Sequence, residues 1–207
     1  MAKPDYGTSI FINCPFDSAY SPLLEAILFA VVSCGFRPRC ALEVEDSSQV
    51  RMEKILKIIS QCRFGIHDLS RTDLDGESKL PRFNMPLELG IFLGAKSFGR
   101  GEQRQKVGLI LDREKYRYQT FISDLGGQDI RAHGNDPKKA IAVVRDWLRS
   151  SSHRLDIPGG KALGESYDLF LSRRLELCQL LRLSEEELTF PDSIWIISEW
   201  IRANTPG

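Results

Sequence analysis

Residues 9–35 read SIFINCPFDSAYSPLLEAILFAVVSCG. The first five form a β-type apolar run that stops at Cys14-Pro15, where a residue without an amide hydrogen ends strand pairing. From Ser21 an apolar stretch carries Pro22 in its first turn and Gly35 at its end, the residues that start and stop a helix. This is a strand, a short turn and a helix, and the rest of the chain decides whether the unit repeats.

It does. FRPRCALE (36–43) is a second strand, with Pro38 arguing for an edge position. Residues 47–61 place Val50, Ile55, Ile58 and Ile59 at helical spacing after the capping cluster DSS. CRFGIHDLS (62–70) is a third strand that runs into a polar, breaker-rich loop at 70–83. An apolar helix follows from Met85 to about Phe98, capped by Asn84. KVGLILD (106–112) is a buried strand, QDIRA (128–132) a fifth, and DPKKAIAVVRDWLRSS (136–151) a helix opened by Asp136 and Pro137. Such alternation implies right-handed βαβ units and an α/β fold, a flavodoxin-like five-stranded parallel sheet with helices on both faces. That domain spans residues 1–152. Residues 153–207 form a linker and a two-helix C-terminal appendage, with helices at 165–183 and 192–203. Its apolar residues (Tyr167, Phe170, Leu171, Trp200) pack onto the domain or onto a second copy. The expectation is a homodimer, or a roof over the crevice, with a folded core surviving truncation after Ser152.

The 28 basic and 28 acidic residues cancel, so no global field draws nucleic acid or an anionic membrane, and neither is expected as a partner. No apolar run approaches the roughly 20 residues of a membrane span, and the first residues, MAKPDYGTS, are not an apolar signal segment. A cytoplasmic location is expected. The five cysteines are odd in number and scattered, which suits buried free thiols and neither a disulfide framework nor a zinc site. No metal is expected.

Open parallel sheets bind ligands outside the carboxyl ends of their strands. After the first strand stand Asn13, Pro15, Phe16, Asp17 and Tyr20. After the second come Asp46 and Ser47, and after the third His67, Asp68 and Arg71; the next helix then opens with Asn84, Met85 and Glu88. There is no Gly-x-Gly-x-x-Gly run and no Walker lysine loop, so the standard phosphate cradles are absent. Asp46 could equally be a helix cap, His67 a core histidine, and Asp17 and Asp68 turn-closing residues. Glu88 is the only ionisable group in NMPLELGIFLGA (84–95). Near a helix N-terminus the dipole favours its ionised form by roughly 0.3–1 kcal/mol, and an apolar wall keeps it poorly hydrated. That suits a nucleophile.

The stretches INCPFD (12–17), GIHDLS (65–70) and LELGIFLGA (87–95) resemble the nucleoside 2-deoxyribosyltransferase-like proteins and their structural relatives, the TIR domains, over roughly residues 8–150. The resemblance implies that Glu88, at the glutamate of the family's helix, attacks or stabilises the anomeric carbon of a nucleoside or NAD-like substrate. It also implies that Asp68 handles the base. The transferases' Asp-x-Gly-Thr run is replaced here by KLPRFNMPLE (79–88), and the TIR residues ahead of the glutamate are likewise absent. Cleavage of an N-glycosidic bond needs a carboxylate beside an oxocarbenium-like centre and a polar group for the leaving base. Asp68 or His67 could serve the base, Asn13 and Asp46 could hold ribose hydroxyls, and Phe16 and Tyr20 could stack on a ring. Arg71, Arg82 and Arg113 could meet phosphates, which favours NAD as a substrate; no cofactor is expected. The alternative is a module on the same fold that senses a nucleotide or mediates assembly without chemistry.

Overall fold

The computed structural model describes residues 5–43, 45–72 and 82–204. Strands β1 (Ser9–Asn13) and β3 (Phe64–Asp68) are buried at every residue, because both faces of the sheet are covered. With β2 (Arg37–Arg39), β4 (Val107–Asp112) and β5 (Arg131–Ala132) they form one five-stranded sheet in the order β2-β1-β3-β4-β5, every pair parallel. This is the flavodoxin-like order. Its reversal lies between β1 and β3. Pro38 sits in β2 at the sheet edge, where a missing amide hydrogen costs no ladder bond.

Strand residues alternate between faces, and two helix layers receive them. Ile10, Ile12, Phe64, Ile66, Leu109 and Leu111 meet α1 (Ser21–Ser33) and α4 (Pro137–Ser152). Phe11 meets α2 (Arg51–Ser60) through Ile55, Ile58 and Ile59, and α3 (Asn84–Phe98) through Phe92. Asp136 caps α4, accepting from the amides of Lys138 and Lys139. At the opposite end of the sheet the Lys106 ammonium is buried. It donates to the carbonyls of Ile59 and Cys62 at 2.6 and 2.5 Å, tying the end of α2 to the start of β4. All five cysteines are buried and free.

Helix starts depart from the sequence pattern at two places. Helix α2 begins at Arg51 behind Val50 rather than after DSS, and Asp46 instead closes a turn onto the amide and hydroxyl of Ser48. Helix α3 begins at Asn84, preceded by Phe83 as its N-cap residue with no side-chain cap. Glu88 therefore falls beyond the first turn. The polar 70–83 loop lies outside the described residues at 73–81.

Helices α5 (Gly160–Leu180) and α6 (Phe190–Asn204) are not a detached appendage. Tyr167, Phe170, Cys178, Ile196, Ile197 and Trp200 belong to the same core cluster as α1 and α4. Phe29 of α1 packs against Tyr167 and Phe170, with ring centroids 5.2 and 5.3 Å apart. The connection from α4 runs only from His153 to Gly159, because α5 begins at Gly160. Among the described residues no helix is long and apolar enough to cross a membrane.

Candidate active site

The parallel register lines up the carboxyl ends of the strands: Asn13 pairs with His67, Asp68 with Leu111, and Asp112 with Ala132. His67 and Asp68 are consecutive, so their side chains leave the sheet on opposite faces. This separates two groups that the sequence placed together.

His67 enters the α2/α3 face. Its ring is fully buried, with centroids 4.8 Å from Phe92 and 5.9 Å from Phe11. The Asn13 amide group donates to His67 Nδ1 at 3.1 Å and to the Met85 carbonyl at 2.8 Å. Nδ1 is thus the acceptor and Nε2 carries the proton. A Cβ built on Gly65 would lie 2.7 Å from Nε2, so that atom points back along the strand, away from the crevice. Burial, helped by the nearby Lys106 charge, lowers the His67 pKa to about 3. His67 is a neutral core histidine and not a substrate group. Asn13 is likewise committed, buried and holding the start of α3 against the end of β1.

Asp68 enters the α1/α4 face, where it too is fully buried. Tyr20 Oη donates to its Oδ2 at 2.5 Å, and the Ser70 amide to its Oδ1 at 2.8 Å. His133 Nε2 lies 3.0 Å from Oδ2, an approach too oblique for a fully formed hydrogen bond. His133 Nδ1 accepts from the Asn135 amide at 3.0 Å, which leaves the proton on Nε2, facing the carboxylate. Burial pushes the Asp68 pKa up, but the partners His133, Ser70 and Tyr20 together hold it below the ordinary range. Burial and the Asp68 charge send the Tyr20 pKa well up. The Asp68 carboxylate is therefore sealed within the fold and engaged by its neighbours, and Tyr20 is its buried donor, not an exposed ring. Of the two proposed stacking aromatics, Phe16 alone reaches the surface, 38% exposed.

Other candidates hold structure. Asp17 accepts from the Tyr20 amide at 3.2 Å, from Arg71 at 2.9 Å and from Arg82 at 3.3 Å, joining the β1 turn to the β3 loop. Pro15 and Met85 are buried, whereas Asp46, Ser47 and Asn84 are exposed. Asp46 is engaged with Ser48, the capping role that its sequence neighbours also allowed.

Glu88 stands apart. It is half-buried on α3, one turn beyond Met85, whose carbonyl is anchored to the end of β1. Among the described residues no hydrogen bond or ion pair holds its carboxylate. Burial raises its pKa to about 7, with Arg51 opposing weakly. The helix dipole was expected to keep this acid ionised, but its effect fades within the first turn, and Glu88 sits past that turn. Desolvation wins.

Several contributors were not read from the sequence. His133 follows the two-residue β5, a strand too short to announce what lies at its end. Asp112 is buried, accepting from the Arg113 amide at 2.7 Å and from Arg117 Nε at 2.8 Å, while Arg117 also donates to the Leu69 carbonyl at 2.6 Å. Only a fold that brings β3 and β4 side by side makes that clamp. The chain matches no protein-family model, no curated protein and no solved structure.

Proposed function

We propose that this protein cleaves or transfers the N-glycosidic bond of a nucleotide-type substrate, with Glu88 as the carboxylate that attacks or stabilises the anomeric carbon. The observation that carries this reading is a half-buried carboxylate with no hydrogen bond or ion pair among the described residues. It lies one helical turn beyond Met85, whose carbonyl is tied to Asn13 at the end of β1, the strand beside which the sheet order reverses and where open α/β sheets take their ligands. A pKa near 7 keeps a large fraction ionised at neutral pH while leaving the group poorly hydrated, and hence reactive.

The surroundings favour a particular leaving group. Among the described candidates Asp68 is sealed and ionised, and His67 is sealed and neutral. Neither is placed to protonate a departing base. A cationic pyridinium such as the nicotinamide of NAD leaves as a neutral molecule and needs no proton, whereas an ordinary purine or pyrimidine does. NAD-like substrates are therefore preferred over free nucleosides. A homo-oligomer through α5 and α6 would use their outward residues Leu169, Leu171, Leu175, Leu180 and Trp195, since Tyr167, Phe170, Ile197 and Trp200 are committed to the core.

The test is incubation of the folded chain with NAD and with a panel of nucleosides, followed by chromatography for free base. Release that disappears in Glu88→Gln supports the assignment. No release from any of them leaves the rival, a nucleotide-holding or assembly module, as the better account.

A further inference from the structure

Two helices that cover the sheet, α1 and α3, are apolar nearly all round, with one ionisable residue in the first and two in the second. A helix of that kind is ordinarily buried on every side. Helix α1 is: the sheet lies under it, and α5 and α6 cover its outer side, with Tyr167 and Phe170 against Phe29. Helix α3 meets the core through Met85, Leu89 and Phe92, yet its outer side stands open. Phe83, Leu87 and Phe98 are 65, 51 and 88% exposed, and Phe98 is the most exposed large hydrophobic side chain among the described residues. The other two sheet-covering helices turn charge outward instead, α2 with Arg51, Glu53 and Lys57 and α4 with Lys138, Lys139 and Asp146.

Residues three or four apart share a helix face. Phe83, Leu87, Gly90, Ile91, Gly94 and Phe98 therefore form one stripe, about 22 Å long at 1.5 Å per residue. Both ionisable residues of α3, Glu88 and Lys96, fall off it. The stripe also matches itself when reversed about the Gly90–Ile91 bond. Phe83 then stands opposite Phe98, Leu87 opposite Gly94, and Gly90 opposite Ile91. At both inner pairs a bulky side chain meets a glycine, so two such helices can close with knobs in hollows. A Cβ at Gly90 or Gly94 would meet nothing within 4 Å, so packing within the described chain asks for neither glycine.

We propose that the outer face of α3 docks on the same face of a second copy of this chain, antiparallel, about a two-fold axis through the Gly90–Ile91 bond. A two-fold contact uses one patch twice and needs a self-matching order of side chains, which this stripe has. The area is sufficient. At their exposures Phe83 and Phe98 present roughly 300 Å2 of ring surface per copy. The four rings of a pair, with the strip of Leu87, Gly90, Ile91 and Gly94 that joins them, approach the roughly 1,000 Å2 that a specific interface clears. This surface is separate from the outward residues of α5 and α6, and it rests on no reading of the chemistry at Glu88.

Sedimentation velocity of the full-length chain, from about 1 to about 300 µM, should show a monomer–dimer equilibrium in the micromolar range. Leu87→Lys and Gly94→Glu should each weaken it by at least about 10-fold, because each buries an unpaired charge in the seam. Mixed in equal amounts, the two variants should form a dimer with one chain of each, since the introduced ammonium then faces the introduced carboxylate. Leu180→Glu on α5 should leave the equilibrium unchanged. Thermal melts at about 1 µM, where the chain is monomeric, should place both α3 variants near the wild type, because both positions are open in the single chain. If Leu87→Lys melts early, Phe98→Ser takes its place with the same expected weakening. A wild type that stays monomeric throughout, or a dimer indifferent to the α3 variants, overturns the proposal. So does a dimer lost in Leu180→Glu and kept in the α3 variants, which would move the contact to the C-terminal helices. Weakening by each α3 variant with no recovery on mixing overturns the antiparallel register.

Discussion

The Tyr20 hydroxyl reaches across 48 residues of chain to donate to Oδ2 of Asp68 at 2.5 Å, and both side chains are sealed from solvent. One hydrogen bond thus joins the turn after β1 to the end of β3, at the point where strand order reverses.

Removing it should be costly. Tyr20→Phe keeps the ring and deletes the donor, so a loss of about 1.5–3 kcal/mol is expected, the range for hydrogen bonds to charged groups. The pH dependence has a definite sign. The Asp68 pKa is lowered in the folded state, so its contribution is present above the ordinary carboxylate value and is lost as pH falls through the lowered one. Urea denaturation of wild type and Tyr20→Phe at pH 7 and in steps down to about pH 2 should show the difference shrinking as pH passes below the lowered value. A gap that stays equal over the whole range would mean that the hydroxyl does not stabilise the ionised carboxylate.

Glu88 should behave in the opposite way. Its folded pKa, about 7, is above the ordinary value of 4.5, so the folded state holds its proton more tightly, and stability falls as pH rises from 4.5 to 7. Glu88→Gln should therefore stabilise the chain at pH 8, by roughly 1–2 kcal/mol after allowing for partial exposure, while abolishing base release. In the wild type the rate of release should climb with pH and level off above 7, because the ionised form does the work. A rate that falls above pH 7 would make Glu88 a proton donor instead.

Two glycines give a contrast within one fold. A Cβ on Gly65 would sit 2.7 Å from both His67 Nε2 and Phe92 Cε2, so Gly65→Ala should destabilise by about 1–3 kcal/mol through overpacking. Gly90 lies on the exposed side of α3, where a Cβ meets nothing within 4 Å. Gly90→Ala should gain about 0.5–1 kcal/mol from helix propensity. Thermal midpoints of the two variants should move in opposite directions.

Truncation after Ser152 was expected to leave a folded core. With Tyr167, Phe170, Ile197 and Trp200 inside the cluster that also holds Phe29 and Val144, the shortened chain would expose the outer faces of α1 and α4. It should lose its cooperative thermal transition or become insoluble, as judged by circular dichroism and by recovery in the soluble fraction. A shortened chain that melts cooperatively near the full-length midpoint would show that the C-terminal helices contribute little to the core.

Much of this molecule is written locally. Strand and helix alternate with clear stop signals at Pro15, Gly35 and Asp136, and period and punctuation are properties of neighbouring residues, so the α/β class and the five-strand count follow from the chain alone. The isolated acid at Glu88 is also a local fact, an ionisable group in an apolar helix.

What the sequence could not decide is where each polar side chain spends its hydrogen bonds. His67 and Asp68 looked like two groups of one crevice, but the two-residue period of a strand sends them to opposite faces, and which face is wet depends on the helices that cover it. Tyr20 and Asn13 looked available until the register placed Asp68, His67 and Met85 beside them. His133 was invisible because its strand is two residues long and its partner lies 65 positions earlier. The Glu88 charge turned on burial, which raises its pKa by more than a helix-terminus dipole of about 0.3–1 kcal/mol could lower it, and that burial is set by the residues packed around α3. Desolvation and long-range hydrogen bonding are sums over neighbours that only the folded chain brings together, so the tertiary structure alone separated the polar groups engaged in the scaffold from the carboxylate that has no partner among the described residues.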